Sequence, residues 1–249
     1  MWQTSVLTDK SQILAYLETD RLYAAYAIGD LEPGMYEQCT WAGAARGGQL
    51  GALALHFSGL TLPALVLMGN PEGLRAILSA ELCPERAYLT CRESLLPVTQ
   101  AFYAWEKMDP MWRMVLQPDR FRPALGDAVR LTPDQAEDLI ALYAEGWGGA
   151  FMPAQVAQGV FYGVYADGQM VAVAGTHLVS PTYGVAAMGN IYTHPGYRGR
   201  GYGTATTAAV ADALLRMGIR DVVLNVHQGN ALAIRLYERL GFYRHCPFL

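Results

Sequence analysis

Two stretches of this chain repeat one another. "GGQLGALALHFSGLTLPALVLMGN" runs from Gly47 to Asn70, and "DGQMVAVAGTHLVSPTYGVAAMGN" runs from Asp167 to Asn190. An offset of 120 places Gln49 over Gln169 and Met68-Gly69-Asn70 over Met188-Gly189-Asn190. Further on, "YLTCRESLLPVTQAFY" (Tyr88 to Tyr103) matches "VLNVHQGNALAIRLY" (Val223 to Tyr237) at an offset of 135, so the first half lacks about 15 residues between the two anchors. A chain that resembles itself in this way is expected to build one kind of unit twice. Of its 249 residues 52% are hydrophobic and 16% charged, enough apolar surface for two modest cores. "LQPDRFRPALGD", with two prolines and a glycine, is the natural boundary between domains at 1–122 and 123–249.

The second half has the stronger local signals. Thr132-Pro133-Asp134-Gln135 combines a capping box with proline at the first helical position, after a short strand in "DAVRLT", and predicts a helix to about Glu145. "GVFYGVYADGQMVAVAGTHLV" reads as a hairpin turning at Asp167-Gly168, and "YGVAAMGNIYT" as a third antiparallel strand. A helix from Thr204 to Met217 stops at Gly218. A strand "RDVVLNVH" follows, and then a helix from Asn230 to Leu240, capped by Asn230 and closed by Gly241.

Between the third strand and the Thr204 helix lies "HPGYRGRGYG", a segment with no counterpart in the first half. A glycine-rich turn running into a helix presents consecutive N–H donors at the positive end of the helix dipole, which suits a phosphate or pyrophosphate. The glycines fall at Gly199, Gly201 and Gly203, which matches neither the nucleoside-triphosphate nor the dinucleotide spacing. Arg198-x-x-Gly201-x-Gly203 resembles the R/Q-x-x-G-x-G/A signature of the GNAT superfamily of acyl-CoA N-acyltransferases. "NALAIRLYERLGF" (Asn230 to Phe242) is similar to that family's second segment, N-x-x-A-x-x-x-Y-x-x-x-G-F.

The resemblance implies tandem GNAT folds of the α/β class, each a mixed, mainly antiparallel sheet flanked by helices, the first degenerate. It also implies an N-acyltransferase using acetyl-CoA as co-substrate. Pantetheine would pair with the backbone of Ile191, Tyr192 and Thr193. The pyrophosphate would rest on the amides of Gly199, Arg200, Gly201, Tyr202, Gly203 and Thr204, with charge from Arg198 and Arg200. An N–H near Asn190 or Ile191 would face the thioester carbonyl, Asn230 would belong to the same binding region, and Tyr237 would protonate the departing thiolate. Where several members carry a glutamate base, this chain has Asn225, which cannot accept the proton. Glu145, slightly favoured, and His177 are the remaining candidates for that base. Trp147, Phe151 and Tyr162 are candidate walls of an acceptor pocket, and the first half would act as a structural partner.

Other classes are disfavoured. A net charge of −4 gives no general attraction to nucleic acid or an anionic membrane, and no apolar run approaches the ~20 residues that span a bilayer. A soluble cytoplasmic protein with a small-molecule or peptide amine acceptor is expected; the oligomeric state stays open. Cys39, Cys83, Cys91 and Cys246 include no C-x-x-C pair, so no metal is expected. The alternative function is a non-catalytic acyl-CoA-binding or regulatory protein, motivated by Asn225 and the eroded first half.

Overall fold

In a computed structural model that describes residues 1–124, 126–146 and 151–249, the chain forms two compact units. One comprises Met1–Trp112 with Cys246–Leu249, the other Arg113–His245. The division falls within the strand Met111–Leu116 of the second sheet, ahead of the expected boundary at 122/123.

The first unit runs β1 (Gln3–Leu7), α1 (Lys10–Leu17), α2 (Ala25–Gly29), β2 (Cys39–Arg46), β3 (Gln49–Phe57), β4 (Ala64–Gly69), α3 (Pro71–Ala80), β5 (Tyr88–Thr90) and α4 (Leu96–Thr99). Its five strands lie in chain order. β1 to β4 are antiparallel, and β4 and β5 are parallel from Ala64↔Tyr88 to Val66↔Thr90. Asn70 accepts from the amides of Glu72 and Gly73, and Pro71 follows at the first helical position, so α3 starts directly where β4 ends. Leu74, Ile77 and Leu78, on one face of α3, are buried against Ala42, Ala52 and Leu65. Each such side chain contributes about 1.5–3 kcal/mol. Leu249 exchanges both backbone hydrogen bonds with Cys91 at 2.9 Å each, which ties the last residues to this unit.

The second sheet is built from β6 (Met111–Leu116), β7 (Val129–Arg130), β8 (Tyr162–Ala166), β9 (Gln169–Ser180), β10 (Val185–Thr193), β11 (Asp221–His227) and β12 (Phe242–Phe248). Its order is β12-β6-β11-β10-β9-β8-β7. The helices are α5 (Ala136–Ala144), α6 (Ala154–Gln158), α7 (Tyr202–Arg216) and α8 (Ala231–Leu240). The hairpin turns at Asp167 and Gly168, both with positive φ (52° and 79°), and the capping box of Thr132 and Gln135 opens a short turn before α5. The strand in "DAVRLT" shrinks to Val129–Arg130, and α7 begins at Tyr202, two residues before the expected start.

Val171, Ala172 and Val164 belong to one buried cluster, and Val173, Tyr192, Phe161, Leu139 and Tyr143 to another. Among the described residues, no helix is long and apolar enough to cross a membrane.

Candidate active site

The site forms where two neighbouring strands part. β10 and β11 run parallel in register from Val185↔Asp221 to Met188↔Leu224, and no pairing between them continues beyond. On its other side β10 carries a bulge. Gly189 pairs with Gly175 and Tyr192 with Val173, so Asn190 and Ile191 together oppose the single residue Ala174. Asn190 takes φ = 54°, unusual for a residue other than glycine inside a strand. Three contacts hold it there. Its carbonyl oxygen accepts from the Tyr143 hydroxyl at 2.8 Å, and its Nδ2 donates to Gln155 Oε1 at 3.3 Å and to the Thr176 carbonyl at 3.4 Å. The Asn190 Oδ1 is buried and has no hydrogen-bond partner among the described residues, and neither has the Oδ1 of Asn225 on β11. Two carboxamide oxygens on the diverging strands therefore lack donors, a costly arrangement unless a ligand supplies N–H groups.

β10 ends in the loop that the spacing singled out. Gly199 and Gly201 adopt φ of 78° and 85°, and a side-chain carbon added at either would meet no atom within 4 Å. Gly201 is the N-cap of α7 and offers no side-chain cap, so the first-turn amides of Tyr202, Gly203 and Thr204 keep free donors at the positive helix end. Arg198 Nε donates to the Thr193 carbonyl at 3.1 Å and fastens the loop to the end of β10, while Arg200 lies 5.0 Å from the centre of the Tyr197 ring. These uncapped amides fit a pyrophosphate.

Tyr237 lies on the inner face of α8 with Ile234 and Leu240. Burial raises its phenol well above the ordinary tyrosine range, so it holds its proton at neutral pH. Asn230 is exposed, and its Oδ1 caps α8 by accepting from the Ala233 amide at 3.1 Å. Asn230 and Tyr237, seven positions apart, are thus a surface cap and a buried ring of the same helix.

Glu145 is the C-cap of α5. Its carbonyl oxygen accepts from the Tyr192 hydroxyl at 3.0 Å, and its Oε2 lies 3.8 Å from His194 Nε2. The Nδ1 of His194 accepts from the Gly196 amide at 3.1 Å, so a neutral His194 carries its proton on Nε2, facing the carboxylate. His177 is exposed to solvent on one side, and its ring lies over Gly189, where any side-chain carbon would collide with it. Crowding by protein atoms, and then the charge of Arg113, lower the imidazole to about 4. His177 is a poor proton acceptor at neutral pH.

Phe151 packs on Tyr143 (5.1 Å between ring centres) and on Phe161 (6.2 Å), and so supports the core under α5. Tyr162 lies beside Arg130 at the sheet margin, its ring centre 5.6 Å from the guanidinium. Trp147 lies outside the described residues. Tyr143, Gln155, Thr176 and His194 were not foreseen. The first three act on Asn190 across 47, 35 and 14 positions of chain, and no local spacing reports such partners.

Residues 129–242, which hold the parted strands, the glycine loop and α8, match the family model described as the acetyltransferase (GNAT) family. That segment belongs to the GNAT family. Over 65 residues the chain is 42% identical to mycothiol acetyltransferase of Geodermatophilus obscurus, covering 25% of this chain and 21% of that protein. Over 76 residues it is 38% identical to the [ribosomal protein bS18]-alanine N-acetyltransferase of Escherichia coli K12, covering 30% and 49%. The chain thus spans less than half the length of either relative. A tandem GNAT protein from the clavulanic acid biosynthesis pathway, solved without AcCoA, shares the fold with a TM-score of 0.57 at 15% identity, covering 100% of this chain and 97% of that one. Two GNAT-type α/β folds in tandem, each a mixed sheet flanked by helices, therefore describe the whole chain.

Proposed function

We propose that the chain is an N-acetyltransferase that uses acetyl-CoA as donor and an amine of a small molecule or peptide as acceptor, by direct attack. The observation that carries this reading is the juxtaposition in one unit of a strand parting at Met188↔Leu224, an uncapped glycine-rich helix start and a buried, protonated tyrosine. The bound thioester supplies an activated acyl carbon and a thiolate leaving group.

The chain's own residues provide the rest. Amides from Gly199 to Thr204, with Arg198 and Arg200, hold the pyrophosphate, while Ile191, Tyr192 and Thr193 border the pantetheine. The bulge at Asn190 and Ile191 turns an amide out of the ladder toward the position of the thioester oxygen, where negative charge develops in the transition state. Tyr237 Oη donates its proton to the leaving sulfur. Burial raises the phenol, and desolvation raises the basicity of the thiolate in the same direction.

Asn225 cannot take the amine's proton, but its unpartnered oxygen can accept a hydrogen bond from the amine and orient it. Glu145 is the proton acceptor in this reading, with the Nε2–H of His194 directed at its carboxylate and Tyr192 fixing its backbone. Asn230 contributes by setting the start of α8. The reaction is assigned to the cytoplasm, in a catalytic domain preceded by a degenerate, non-binding repeat.

Release of free thiol from acetyl-CoA, measured against a panel of amines, amino acids and peptides, tests the proposal. Amine-dependent release that disappears in Tyr237→Phe is the expected result. Tight acetyl-CoA binding with no release above background for any amine class would overturn it.

A further inference from the structure

An open pocket of about 590 Å³ lies in the second unit, at the far end of α8, between the turn at 117–122 and the start of β12. We propose that it binds a small, multiply charged organic anion of the phosphate-ester class.

Three arginines, Arg120, Arg122 and Arg239, line the pocket. Among the described residues, none of their guanidinium groups has an ion-pair or hydrogen-bond partner. Of the two acids at the rim, Glu238 is already engaged by Arg244 at 2.9 Å, which leaves Asp119 as the one carboxylate facing three cations. This concentration of positive charge stands out in a chain with a net charge of −4.

The end of a helix is normally negative, and that would oppose an anion. Here two carbonyls at that end are satisfied: Leu240 accepts from the Arg122 amide at 3.2 Å, and the C-cap Gly241 from the Gln117 amide at 3.1 Å. The same two bonds clamp the arginine-bearing turn onto the helix. The clamp requires glycine, since Gly241 has φ = 104° and a Cβ there would lie 2.5 Å from the Arg120 carbonyl oxygen. Phe121 and Tyr243, both half-buried, supply aromatic wall between the charges.

Size and chemistry select the ligand class. The volume falls in the range of about 300–1,000 Å³ typical of small-molecule sites. Planar guanidinium forks match phosphate oxygens in pairs, and three of them call for a ligand with at least two negative charges. The pocket is formed by residues other than those of the glycine loop, so this inference does not depend on the proposed reaction.

The test uses the full chain carrying Gly201→Glu, which disables the glycine loop, and follows the Nε–Hε resonances of arginine during titration with inorganic pyrophosphate. Saturable shifts confined to Arg120, Arg122 and Arg239 are expected. Arg120→Ala and Arg239→Ala should each weaken binding by about tenfold or more, whereas Arg216→Ala, at the end of α7, should not. All three pocket positions are exposed, so the variants should fold, and their far-ultraviolet spectra check this. Shifts that never saturate, binding untouched by either pocket substitution, or tighter binding of citrate or a glutamate-rich peptide than of pyrophosphate would each overturn the proposal.

Discussion

The Tyr143 hydroxyl donates to the Asn190 carbonyl at 2.8 Å and thereby ties the last turn of α5 to the bulge of β10. Both groups are buried, so removing the hydroxyl leaves a carbonyl without a donor. Tyr143→Phe should cost about 1–3 kcal/mol of stability, and it should also lower turnover by loosening the strand that borders the proposed thioester site. Denaturant unfolding and steady-state rates measure the two effects. Lost stability with an unchanged rate would show that the bulge does not depend on this bond.

Coenzyme binding should follow the glycine loop of the second unit alone. Gly201→Glu forces a side chain into a φ of 85° and places a negative charge among the amides meant for a pyrophosphate. Calorimetry should give one site per chain in the parent and essentially none in the variant. Two equivalent sites would mean that the first unit, where α3 starts directly from β4, binds coenzyme without such a loop.

Tyr237→Phe retains the ring, its packing in the inner face of α8 and its contact with Phe242, at 6.0 Å between ring centres. The rate should fall by about 10²–10⁴-fold, with coenzyme affinity nearly unchanged. If the turnover number survives, water or another residue protonates the sulfur.

Two substitutions separate the candidate proton acceptors. An amine with a pKa near that of lysine, about 10.4, is largely protonated at neutral pH and needs a base. Glu145→Gln should depress kcat/KM chiefly at neutral pH and recover as the pH approaches the amine's own pKa. His177 is held at about 4, so it is neutral across the working range, and His177→Gln should leave the profile unchanged. An inflection between about pH 6 and 7, the ordinary histidine range, that vanishes in His177→Gln would reverse the assignment.

Asp30, in the first unit, offers a stability test. Burial raises its carboxyl to about 7, so the folded chain keeps this proton between roughly pH 4 and 7, where the unfolded chain has released it. The acid adds no penalty below about pH 4. Its cost grows as pH rises through that window and is complete above about 7. Asp30→Asn should therefore match the parent near pH 4 and exceed it in melting temperature at about pH 8. A variant less stable than the parent at that higher pH would mean that the carboxylate is compensated in the fold.

Much of this protein follows from local sequence. Capping pairs, positive-φ glycines and alternating apolar residues set the helix starts, the Asp167-Gly168 hairpin and the glycine loop, because each depends on residues a few positions apart. Even the fate of the repeated Met-Gly-Asn is partly local. Pro71 lets Asn70 cap a helix, whereas Ile191 lets the chain continue as strand past Asn190. Tertiary structure decided the rest. The left-handed turn at Asn190 is held by Tyr143, Gln155 and Thr176, His194 Nε2 is brought within 3.8 Å of the Glu145 carboxylate, and burial, then Arg113, lower His177. It also placed Met111–Leu116, which no local signal had singled out, as a strand between β12 and β11 in the second sheet, where its backbone groups find partners on both sides. Such effects arise from groups brought together by packing across tens of residues, and their energies depend on burial and distance that no spacing along the chain records.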